Sequence, residues 1–155
     1  MSKQLNEITA QLAEVKVLPI LVTDDVDQAI HCVNALAANG LPAVEITLRT
    51  PNAMTVLKEV VKACPQVTVG AGTILTPAQL DAVLATGAAF GISPGITPVL
   101  AAAARDSALP YFPGVGSASD LIAKQTYKLN GQSSFGMLPD VDPSVSCLQL
   151  MWFDT

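Results

Sequence analysis

A threonine–proline pair stands three times at the head of a stretch with helical hydrophobic period, at Thr50-Pro51, Thr76-Pro77 and Thr97-Pro98. Each pair offers a hydroxyl to cap a helix, followed by proline at the first helical position, where the missing N–H costs nothing. The three stretches run over residues 51–63, 77–85 and 98–107, and a fourth covers 26–38. Short apolar runs that read as strands alternate with them at 17–22, 43–48, 67–71, 88–92 and 109–112. Another helical stretch opens near Ser117, and an amphipathic segment over 5–15 precedes the first strand. Gly40 and Gly87 fall where helices stop, Pro65 lies just beyond another helix end, and Thr76-Pro-Ala-Gln79 fits a capping box. Strict strand–helix alternation makes the strands parallel, in a closed barrel or an open doubly wound sheet.

Composition removes several function classes. The net charge is −5, with a pI near 4.5. The 8 basic residues are scattered, so neither nucleic acid nor an anionic membrane surface is an expected partner. Cys32, Cys64 and Cys147 are widely spaced with no CxxC, which indicates neither a disulfide framework nor a zinc site and suits a reducing cytoplasm. No signal-like N-terminus or run long enough to span a membrane occurs, so a soluble protein with one core is expected.

The chemistry concentrates in Val44-Glu-Ile-Thr-Leu-Arg-Thr50, where apolar residues alternate with Glu45, Thr47 and Arg49. Period two sends the three polar side chains to one face. Beneath the helices of an open sheet they would be desolvated at several kcal/mol per charge. Facing a barrel lumen near the C-terminal strand ends, they sit where such folds keep their sites. The barrel is therefore the expected fold. Four residues along a strand separate Glu45 from Arg49 by about 13 Å, which argues against a simple ion pair. Val69-Gly-Ala-Gly-Thr73 lacks the third glycine of a dinucleotide fingerprint, so no nicotinamide cofactor is expected. Asp24, Asp25 and Asp27 crowd a helix start, where the macrodipole accounts for them without a metal. His31 lies inside a helix with no catalytic partner in view.

The motifs Val44-Glu-Ile-Thr-Leu-Arg-Thr50, Val69-Gly-Ala-Gly-Thr73, Gly91-Ile-Ser-Pro-Gly95 and Pro110-Tyr-Phe-Pro-Gly114, in this order and spacing, resemble the 2-keto-3-deoxy-6-phosphogluconate (KDPG) aldolase and 4-hydroxy-2-oxoglutarate aldolase family. The resemblance covers residues 8–123. It implies a TIM-type (β/α) barrel, a homotrimer, and a metal- and cofactor-free class I aldolase that splits its substrate into pyruvate and glyceraldehyde 3-phosphate through a lysine Schiff base. By the same match Glu45 is the general acid/base, Arg49 and Thr73 hold the pyruvyl carboxylate, and Pro94 lines the pyruvyl pocket. These roles suit the residue types, since a partly desolvated carboxylate can both give and take a proton and a guanidinium fork fits a carboxylate.

The resemblance breaks off after the fifth strand. Residues 124–155 form a divergent tail without βα period, so about five βα units of a partial barrel are expected, with two open sheet edges and an exposed lumen. Ser133 and Ser134 stand where the family carries its Schiff-base lysine, and only Lys124 and Lys128 are nearby substitutes. Lys3, Lys16, Lys58 and Lys62 fall on helices or at the far end of a strand. The family's phosphate-binding loops have no counterpart in these 155 residues. Three readings follow: an aldolase by descent, a binder of 2-keto acids without turnover, or a truncated or frameshifted remnant that pairs with intact homologues.

Overall fold

A computed structural model describes residues 3–15, 17–127, 129, 133–134 and 148–152. Its elements are α1 (Lys3–Val15), β1 (Val17–Leu21), α2 (Val26–Ala38), β2 (Ala43–Thr47), α3 (Ala53–Ala63), β3 (Thr68–Gly72), α4 (Pro77–Thr86), β4 (Phe90–Ser93), α5 (Pro98–Asp106), β5 (Tyr111–Val115), α6 (Ala118–Thr126), β6 (Ser133–Ser134) and β7 (Leu148–Trp152). The sheet order is β6-β5-β4-β3-β2-β1-β7. Strands β1 to β6 are parallel, as the alternation requires, and β7 runs antiparallel along β1 from Val17↔Trp152 to Leu21↔Leu148.

Helix starts follow local chemistry in two of the three threonine–proline pairs. Thr76 caps α4 with the full capping box, and the Thr97 hydroxyl accepts from Leu100 N–H at the head of α5. The third pair departs from expectation, because α3 begins at Ala53 and Pro51 lies outside it. The Thr50 hydroxyl is spent elsewhere, donating to the Thr23 carbonyl at 3.2 Å. Asn52 gives its backbone N–H to the Asp24 carboxylate and its side-chain amide to the Asp24 carbonyl, both at 2.9 Å. These bonds bind the loop after β1 to the loop after β2. Asp25 caps α2 by accepting from Gln28 N–H, so two of the three clustered aspartates have backbone duties.

Two apolar clusters lie on opposite faces of the sheet. The larger joins Val44, Ile46, Val69 and Ala71 to the covering helices through Val33, Val56, Leu57, Leu80 and Leu100. The smaller joins Leu18, Ile20, Ala43, Phe90, Ile92 and Phe112 on the inner face to Ile8 and Leu12 of α1. Thr68, the first residue of β3, donates its hydroxyl to Gln11, which places α1 at the N-terminal end of the strands. The expected bare lumen is therefore corrected, while among the described residues the sheet still ends at two edges, β6 and β7. Strand β7 occupies the β1 edge, and the inner-face residues from Leu18 to Phe112 are buried.

On that inner face, Phe90 and Phe112 meet edge to face with centroids 6.0 Å apart. Gly70 makes the room, since a Cβ there would stand 2.0 Å from the Phe90 ring. Gly70→Ala should cost at least the ~1–3 kcal/mol typical of an overpacked core, checked by urea unfolding.

Candidate active site

Glu45 is the third residue of β2, flanked in register by Ile20 on β1 and Gly70 on β3. It is 3% exposed, and its Oε2 is buried with no hydrogen-bond partner among the described residues. Burial pushes its pKa from 4.5 up to about 7, opposed by the positive charge of Arg49. A carboxyl group at this value exchanges protons readily near neutral pH. Gly72 gives the group its seat, because a Cβ at that position would stand 1.5 Å from Glu45 Oε1.

Arg49 is not on the strand. β2 ends at Thr47, and residues 48–49 turn out of it, leaving Arg49 exposed at the C-terminal rim. The expectation of one straight polar stripe holds for Glu45 and Thr47 and is corrected for Arg49. Thr47 is buried and donates to the Leu21 carbonyl at 3.4 Å. The turn delivers Arg49 to its neighbour strand, where its Nε donates to Thr73 Oγ1 at 3.2 Å.

Thr73 has φ +61°, the one non-glycine residue with positive φ among those described. A β-branched residue there is a genuine outlier, at a cost of about 1–3 kcal/mol. Backbone bonds hold the chain on both sides: Gly72 O accepts from Leu48 N–H at 2.9 Å, and Ile74 N–H donates to Ile92 O at 3.1 Å.

Pro94 is exposed in the loop after β4, and its carbonyl lies over the end of β5, where a Cβ on Gly114 would come within 2.6 Å of it. The same rim therefore carries Thr23, Arg49, Thr73 and Pro94. Beneath it on the outer face, Tyr111 donates its hydroxyl to Ser93, which donates to Gly95 O at 2.6 Å. Burial pushes the Tyr111 pKa up to about 12, so this pair orders the β4 loop as neutral groups. Neither Gly72 nor the Ser93–Tyr111 pair was singled out from sequence. Period two along Gly70-Ala-Gly72 puts both glycines on one face, which is the signal that points to Gly72.

Lys124 lies in the last turn of α6, and partial burial lowers its pKa. Lys128 lies outside the described residues, as do Lys16 and Cys147. Lys58, Lys62 and His31 are exposed. Among the described residues no group of three or more His, Cys, Asp or Glu converges as metal ligands do, and no helix is long and apolar enough to cross a membrane.

A parallel α/β sheet with a buried acid on its inner face and polar groups gathered at its C-terminal strand ends has its candidate site where TIM-barrel-type folds keep theirs. The chain belongs to the KDPG and KHG aldolase family, whose model matches residues 8–146. It is 37% identical over 134 residues to the KHG/KDPG aldolase of Escherichia coli K12, covering 86% of this chain and 62% of that one. The crystal structure of the Zymomonas mobilis ZM4 KDPG aldolase with 3-phosphoglycerate superposes with TM-score 0.75 at 35% identity, over 81% of this chain and 59% of that one. The Legionella pneumophila KDPG aldolase, with pyruvate captured as a covalent carbinolamine, gives TM-score 0.74 at 36% identity over the same shares. This chain thus spans about three-fifths of the length of these relatives.

Proposed function

We propose that this chain carries the keto-acid half of a KDPG/KHG aldolase site, binding a 2-keto acid and handling its protons without forming the imine itself. The observation that carries the reading is Glu45, buried midway along β2 with Oε2 unpartnered among the described residues, beneath strand ends that carry the Arg49–Thr73 pair. Arg49 and Thr73 take the substrate carboxylate, a guanidinium and a hydroxyl being matched to it in charge and hydrogen bonding. Glu45 moves protons at the carbonyl and at the C4 hydroxyl, and Pro94 lines the pyruvyl pocket.

In the class I reaction a lysine amine adds to C2, water leaves, and the iminium accepts the electrons of the C3–C4 bond as Glu45 takes the C4 hydroxyl proton. In this chain the strand beside β5 is Ser133–Ser134. A hydroxyl cannot form an iminium, so on this reading that strand supplies no electron sink. The reading also takes the chain as cytoplasmic and as a homotrimer like its family, the latter checked by light scattering on the purified chain.

Borohydride reduction with pyruvate, read by intact mass and peptide mapping, tests the proposal alongside pyruvate binding followed by NMR. Binding that Arg49→Ala weakens about tenfold or more, with no reducible adduct, is the expected result. Absence of binding to the folded chain would sink it. A second reading has its own support in Lys124, whose lowered pKa favours the nucleophilic free amine. An adduct mapped to Lys124 would make this chain a working aldolase with a relocated lysine.

A further inference from the structure

Two consecutive residues, Gly72 and Thr73, each meet one member of the site. At Gly72 the space a side chain would fill holds the Glu45 carboxyl: a Cβ would stand 1.5 Å from Oε1, 2.2 Å from Cδ and 2.8 Å from Cγ. At Thr73 the backbone turns left-handed at φ +61°, and its hydroxyl accepts from Arg49 Nε. The flanking backbone bonds, Leu48 N–H to Gly72 O and Ile74 N–H to Ile92 O, tie this corner to the end of β2 and to β4. A strained residue held from both sides marks a position where geometry is kept at a cost to stability.

We infer that the Gly72–Thr73 corner is the positioning device of the site, setting where the acid of Glu45 and the guanidinium of Arg49 stand relative to one bound 2-keto acid. The inference rests on the keto-acid reading above and deepens it. Gly72 acts through Glu45, whose carboxyl is the movable end of a side chain, so an added methyl there displaces the acid before it disturbs the sheet. Thr73, besides meeting the substrate carboxylate in the reading above, acts through Arg49: its left-handed backbone aims the hydroxyl that accepts from Arg49 Nε. Among the described residues Arg49 is the charged group that acts on Glu45, so the corner also governs how the two charges sense each other.

Three variants test this. Thr73→Gly relieves the backbone and removes the hydroxyl, and is expected to raise Tm by about 2–4 °C while weakening pyruvate binding about tenfold. Thr73→Ser keeps the hydroxyl and is expected to hold affinity within about twofold of the parent, the rescue that a purely structural role would not require. Gly72→Ala is expected to move the titration midpoint of the Glu45 carboxyl, followed by ¹³C NMR in the unliganded protein, by about one pH unit or more, with a matching change in stability above that midpoint. A Thr73→Gly variant that loses stability, or a Glu45 midpoint unmoved by Gly72→Ala, would overturn the inference. Both of these readouts are made without ligand. If the parent fails to bind pyruvate while they behave as expected, the keto-acid reading falls and the corner remains a positioning device for another ligand.

Discussion

At pH 8 the Glu45→Gln variant is expected to be more stable than the parent chain by about 3 kcal/mol, and the difference should vanish near pH 4.5. Burial raises the Glu45 pKa from 4.5 to about 7 in the folded state. The folded chain therefore holds this proton more tightly than the unfolded chain does. Between these two values folding takes up a proton, so stability falls as pH rises through the window and levels off above it. At about 1.4 kcal/mol per pH unit, the accumulated cost of burying the charge is about 3 kcal/mol. Glutamine fills the same space without a charge and escapes that cost. Urea unfolding of both chains at pH 5 and pH 8 checks this. Pyruvate binding should survive the substitution, because Arg49 and Thr73 remain. A glutamine variant less stable at pH 8 would mean that the carboxylate is a structural acceptor, and the acid/base role would lose its physical basis. A stabilising substitution at a buried polar position is the signature of a residue retained for chemistry rather than for folding.

How much of this was legible in the sequence depended on the distance over which each bond acts. The caps at Thr76 and Thr97 use partners three residues away, and the pattern Thr-Pro states them directly. Thr50-Pro51 has the same local pattern, yet its hydroxyl goes to Thr23 O, a partner fixed only once β1 and β2 lie side by side. Glu45 was legible because period-two alternation needs no partner strand. Period two alone puts Arg49 on the same face, because nothing in the local sequence shows that β2 stops at Thr47. The pairing of Arg49 with Thr73, and the seat at Gly72, depend on the register Thr47↔Gly72 between neighbouring strands. The tail posed the hardest case. The pairing of Leu148–Trp152 with β1 joins the two ends of the chain, and no local period announces an antiparallel partner so far away.

Register also decides which of the two serines on β6 is the place for an amine. Ser133 pairs with Gly114 and Ser134 with Val115. Gly114 lies two residues beyond Phe112, a member of the inner-face cluster, so position 133 lies in register with the face that holds Glu45. Position 134 is in register with the opposite face. Ser133→Lys is therefore expected to give a pyruvate adduct, trapped by borohydride, where the parent gives none. The amine adds to C2, water leaves, and hydride reduces the C=N bond to a stable secondary amine on the mapped peptide. Ser134→Lys, one residue along, should give little or no adduct, and it controls for lysine chemistry at large. In the Ser133→Lys background the enamine also exchanges the pyruvate methyl protons with D₂O. Adding Glu45→Gln should slow that exchange by about 10²–10⁴, the usual share of a positioned acid/base. Equal trapping at both serines, or at neither, would show that the inner face does not gather acid, anchor and amine around one carbonyl. Trapping at position 133 alone would show that every other part of the keto-acid site is already in place, and that this chain stops short of imine chemistry for want of one amine.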